Sequence, residues 1–132
     1  MLKRYLNELS RKEGRSIDSL TYVFCTDDFL LNINQRYLQH DDYTDIITFD
    51  LAGAGQLSIS GEVYISVDRV VENARILGVS FLTEVERVVF HGLLHLCGYT
   101  DKLPKQKQQM RAAEDRHLAL FEQFVQAAHC ST

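Results

Sequence analysis

Two histidines four residues apart, His91 and His95, are followed by Gly98 and then by Asp101. On a helix a four-residue step stacks two imidazoles on one face, so both can aim a nitrogen at a single ion. Gly98 can take the left-handed backbone conformation that turns a chain sharply past a helix end. Asp101 then stands just beyond the turn, placed to swing back toward the same ion. The spacing His-x3-His-x2-Gly-x2-Asp predicts a three-ligand site for one divalent metal, with zinc the ion expected. Three protein ligands leave one coordination position open, the pattern of a catalytic zinc and not of a structural one. The chemistry expected is metal-assisted hydrolysis.

The segment that must carry these residues is a helix over 81–97. Most of its circumference is apolar, including Phe81, Val85, Val88, Val89, Leu93 and Leu94. One polar stripe, Glu84, Arg87, His91 and His95, advances in steps of three, four and four and falls within a narrow sector. A water-facing stripe with a Glu84–Arg87 pair is the alternative, and the histidines alone would leave it ahead. Gly98 and Asp101 turn the reading toward a metal. Cys97 lies two residues from His95 and so faces away, into core packing. His40, His117 and His129 have no ligand spacing and are read as surface or packing residues. Zinc proteases carry His-Glu-x-x-His, with the glutamate as general base. Gly92 occupies that place here, which argues against a conventional protease.

Around this helix the pattern predicts α-β-α-β-β-α-α-α. Leu2, Tyr5, Leu6 and Leu9 share one side of a first helix over 2–12, ended by Gly14. Leu20 to Cys25 reads as a strand, and Thr26 or Asp27 caps a helix to about Leu38 with Phe29, Leu30, Ile33 and Tyr37 inward. A polar loop, Gln39 to Tyr43, leads to a strand over 45–49. Glycines 53 and 55 mark a turn before a third strand over roughly 57–66. Ser66 can cap a helix from Val67 to Leu77, closed by Gly78. The last helix begins near Pro104 and buries Met110, Ala113, His117, Leu120, Phe121 and Phe124. The fold class expected is α+β, an α/β sandwich with helices covering a small mixed sheet. The metal site then sits on a central helix and the turn after it.

The chain has 132 residues, 45% of them hydrophobic and 24% charged, which suits one soluble domain spanning 1–132. No apolar run is long enough for a membrane helix, and the N-terminal residues lack a signal-peptide pattern. Cys25, Cys97 and Cys130 are odd in number and widely spaced, so no disulfide framework is expected and a reducing cytoplasm is. A net charge of −4 gives no support for nucleic-acid binding. Small basic groups at Lys3/Arg4, Arg11/Lys12/Arg15 and Lys102/Lys105/Lys107 are read as solvated faces.

The run His91-Gly92-Leu93-Leu94-His95-Leu96-Cys97-Gly98-Tyr99-Thr100-Asp101 resembles the signature of the bacterial YbeY family, His-Gly-x-Leu-His-Leu-x-Gly-Tyr-Asp-His. Asn34-x-x-Tyr37 with Thr44 to Phe49 resembles the family's loop and second strand. Gly61 to Ser66 resembles its third strand, and Met110 and Glu114 fall in step with its last helix. The resemblance implies a single-strand-specific metal-dependent endoribonuclease. It further implies action in maturing the 3′ end of small-subunit (16S) ribosomal RNA and in ribosome quality control, with the ribosomal small subunit as partner. Two departures stand out. The family's third ligand is usually His, and this chain has Asp101, whose extra negative charge favours tolerance of harder metals such as manganese. A family arginine assigned to the phosphate falls at Leu38 in a gapless match. Arg36 is the nearby candidate for that catalytic role, the other reading being an ordinary surface arginine. Two further functions remain open: a metal-stabilised ribosome-assembly factor with little nuclease activity, and a zinc hydrolase of another substrate.

Overall fold

The structure is a computed structural model that describes residues 1–38, 44–53 and 56–130. Its elements are α1 (Leu2–Lys12), β1 (Ser16–Cys25), α2 (Asp27–Tyr37), β2 (Ile46–Asp50), β3 (Ser58–Ser66), α3 (Val67–Leu77), α4 (Phe81–Leu96) and α5 (Pro104–Cys130). The order matches the one expected from periodicity. The Gln39–Tyr43 loop, His40 within it and Gly55 lie outside the described residues.

β3 is the middle strand, parallel to β1 and antiparallel to β2, which gives a mixed three-stranded sheet in the order β1-β3-β2. Ile59, Val63 and Ile65 alternate along β3 and point one way, into a core shared with Tyr5, Leu9, Phe90, Leu93 and Leu94. Leu30, Ile33 and Ile47 form a smaller core on the opposite face, beneath α2. Helices therefore cover both faces, and the α+β sandwich is the observed architecture.

Two boundaries differ from the sequence reading for physical reasons. β1 starts at Ser16 and not at Leu20, because Ser16 and Ile17 pair with Ser58 and Ile59 before an irregular register step. On an edge strand those outward serines carry no hydrophobic signal. In α2, Leu30 and Ile33 are buried, but Phe29 and Tyr37 are more than half exposed. Tyr37 meets the sheet at the ring of Phe49, with centroids 6.2 Å apart in an edge-on arrangement. Arg15 also departs from a solvated role, since its guanidinium donates to the carbonyls of Gln56 and Cys97 and so ties the start of β1 to the end of α4.

The caps fall where side chains predict them. Thr26, Ser66 and Ser80 accept from the backbone N–H three residues on, at 3.2, 3.2 and 3.0 Å. α4 lies close against β3 because two glycines permit it. A Cβ on Gly92 would stand 2.7 Å from Val63 Cγ1 and 3.0 Å from Ile46 Cδ1, and one on Gly61 would meet Leu96 at 2.8 Å. A glutamate at 92 would thus be driven into the sheet, away from the histidine face. Gly92→Ala is expected to cost about 1–3 kcal/mol through overpacking. Urea unfolding checks this, and an unchanged midpoint would show that the helix can shift outward freely.

Among the described residues no helix is long and apolar enough to cross a membrane.

Candidate metal centre

α4 ends in a way that brings the three candidate ligands together. After its last turn Gly98 adopts φ +111°, a conformation that side chains disfavour, and the chain doubles back so that Asp101 faces the histidines. His91 Nε2 and His95 Nε2 are 3.0 Å apart, and Asp101 Oδ2 lies 3.3 Å from the first and 3.4 Å from the second. A tetrahedral ion with bonds of about 2.0–2.1 Å has ligand-to-ligand edges of about 3.3–3.4 Å. The observed triangle matches that size, so these atoms can hold one ion of zinc's dimensions.

Both imidazoles are fixed in the tautomer that such a site requires. The Tyr99 carbonyl can only accept, so His95 Nδ1 donates to it at 3.0 Å and leaves Nε2 with its lone pair. His91 Nδ1 donates to Glu114 Oε2 at 2.5 Å, with the same consequence. Burial pushes the His91 imidazolium down, but the Glu114 carboxylate, helped by Asp45 and Asp101, more than reverses this and raises its pKa. Glu114 is itself buried on α5 and shares Arg87 with Asp115, at 3.2 and 3.0 Å. Glu84 stands 3.5 Å from the Arg87 Nε, and burial raises its pKa more than Arg87 lowers it. The polar stripe on α4 is therefore not a water-facing row. α5 covers it with a carboxylate.

A second polar chain braces the turn. Tyr99 OH donates to Glu13 Oε1 at 2.8 Å, and His117 Nε2 donates to Glu13 Oε2 at 3.0 Å. Tyr5 OH donates to His117 Nδ1 at 2.8 Å, which completes a neutral, fully buried imidazole. Burial pushes the His117 pKa down, and Glu13 only partly offsets it. The unfolded chain then takes up this proton at a higher pH than the folded one. Stability is lost as pH falls below about 6.5, the ordinary histidine value, through the depressed folded one. His117→Gln, which can keep both hydrogen bonds, is expected to flatten that part of the Tm–pH curve. Parallel curves for the two proteins would assign the acid loss to other groups.

Two of the three, His91 and Asp101, line a cavity of about 420 Å³ together with Asp45, Glu84, Arg87 and Glu114. Arg36 is not among its lining residues; it is exposed in the last turn of α2. Cys97 packs partly buried against the main core, and His129 is exposed near the end of α5. Sequence reasoning did not give Glu114, the Tyr99 carbonyl or the Glu13–His117 brace their roles. Only Glu114 left a signal, as an acidic residue in step with Met110 on the buried side of α5.

The family model described as Endoribonuclease YbeY matches residues 1–122. The chain belongs to the YbeY family. Among YbeY relatives, the Endoribonuclease YbeY of Cytophaga hutchinsonii is 47% identical over 119 residues, 90% of this chain and 82% of the relative. That of Porphyromonas gingivalis is 41% identical over 122 residues, 92% of this chain and 80% of the relative. A Thermotoga maritima protein solved in solution is similar in fold, with a TM-score of 0.63 and 30% identity, covering 89% of this chain and 76% of that one. The YbeY match includes α4, the turn at Gly98 and α5 as far as residue 122, so it spans the three candidate ligands and Glu114.

Proposed function

We propose that this chain, as one domain over residues 1–132, is a zinc-dependent, single-strand-specific endoribonuclease of the cytoplasm. Its substrate is ribosomal RNA at the 3′ end of the small subunit, with a part in ribosome quality control. The observation that carries the reading is the convergence of two tautomer-fixed Nε2 atoms and one carboxylate oxygen, 3.0–3.4 Å apart, with His91 and Asp101 lining a cavity beside them.

His91, His95 and Asp101 would hold the ion. Bound there, zinc supplies Lewis-acid charge for a phosphodiester whose oxygens gain negative charge during displacement. The chain's own residues do the rest. Glu114 and the Tyr99 carbonyl keep both rings oriented with Nδ1 protonated. Arg87, paired with Glu114 and Asp115, holds Glu114 in place. Position 92, where zinc proteases carry their glutamate, is a glycine packed against Val63 and Ile46, so it supplies no protease-type base, which favours a phosphodiester over a peptide.

The test is cleavage of end-labelled RNA, presented as a single strand and as the matching duplex, with zinc and with a chelator. Cutting confined to the single strand and abolished by chelation is the expected outcome. Binding without any cutting would favour a metal-stabilised assembly factor instead.

A further inference from the structure

The cavity beside the triad has two unlike walls that the metal chemistry does not use. One is α5, where Lys107 and Arg111, four residues apart and therefore on the same helix face, both line it. Both residues are exposed, and among the described residues neither side chain forms an ion pair. Arg87, in contrast, is hydrogen-bonded to two carboxylates, Glu114 and Asp115, with Glu84 3.5 Å from its Nε. The other wall is α3, which contributes Asn73, Ile76 and Leu77. Ile76 is 66% exposed and Leu77 47%, large apolar side chains left open at the mouth of a charged cavity. The Asn73 amide is half-buried there, with no hydrogen bond among the described residues.

Cations on one side and an apolar ledge with a free amide on the other are complementary to a nucleotide. Phosphate seeks the lysine and arginine, and a base covers aliphatic surface while its edge meets a donor and an acceptor. We propose that this cavity is a subsite for one nucleotide of a single strand, flanking the metal centre. Lys107 and Arg111 take its phosphate and the next one along, and Ile76, Leu77 and Asn73 receive its base. The proposal rests on the endoribonuclease reading and adds where the strand lies. It also places positive charge locally on a chain whose net charge is −4.

The test is binding of a fluorescein-labelled, 2′-O-methylated single strand to zinc-loaded protein, followed by anisotropy across a range of KCl. Lys107→Ala with Arg111→Ala is expected to weaken binding roughly ten- to thirtyfold near 0.1 M salt. Its log–log salt dependence should become shallower by about 0.7 for each phosphate no longer neutralised. Ile76→Ala with Leu77→Ala should weaken binding severalfold at an unchanged salt slope. Lys3→Ala with Lys12→Ala removes the same charge from α1 and should change neither. If the α5 pair behaves like the α1 pair, the subsite is overturned while the nuclease reading stands. An unchanged affinity in the α3 pair overturns the base wall. No binding by the wild type overturns the endoribonuclease reading and the subsite with it.

Discussion

His95→Ala is expected to lose bound zinc and to lower kcat/KM toward single-stranded RNA on the order of 10³-fold or more, about 4 kcal/mol of transition-state stabilisation. The size of the effect follows from geometry. Two ligands would remain, and among the described residues no further His, Cys, Asp or Glu joins the cluster to replace it. The fold should survive the change. Among the described residues, the hydrogen bond that His95 makes outside the triad goes to the Tyr99 carbonyl, and that carbonyl can turn to water. Steady-state kinetics beside far-UV circular dichroism separates the two effects. Full activity in a folded His95→Ala protein would remove this residue from the site.

Glu114→Gln is the second large effect expected, and it acts through His91. Glutamine keeps the size of the side chain and one acceptor, but it removes the charge that holds the His91 ring and that Arg87 faces. Loss of such an outer carboxylate lowers metal affinity about 10–100-fold. Arg87 keeps Glu84 and Asp115, so the cost to stability stays near about 1–3 kcal/mol and not the larger penalty of an orphaned buried charge. Competition with a zinc chelator measures the first quantity and urea unfolding the second. Unaltered zinc affinity would mean that the carboxylate does not orient the ligand.

The parts of this protein legible in its sequence are those written in local spacing. His91, His95, Gly98 and Asp101 lie within one helix turn and one bend, so their convergence is fixed by 3.6 residues per turn and one positive φ. The order of elements is equally local, carried by the two periodicities and by Thr26, Ser66 and Ser80 at helix starts. What the sequence does not show depends on distant pairings. Glu114 reaches His91 from another helix, and Glu13 and Tyr5 meet His117 across more than a hundred residues. A histidine without ligand spacing such as His117 reads as inert, yet here it is the buried hinge of a brace that holds Tyr99. Lys107 reads as part of a solvated basic group because its place on a cavity wall depends on how α5 packs. Arg36, a candidate chosen by nearness in sequence, is exposed in the last turn of α2.

Elemental analysis of tag-free protein reads out whether a single metal is held by His91, His95 and Asp101. The wild type is compared with His95→Ala and Asp101→Ala after equal exposure to zinc. Close to one zinc per chain in the wild type, lost in both variants, is the result expected. A wild type that takes up no metal, or an Asp101→Ala protein that keeps its full complement, would contradict the three-ligand site.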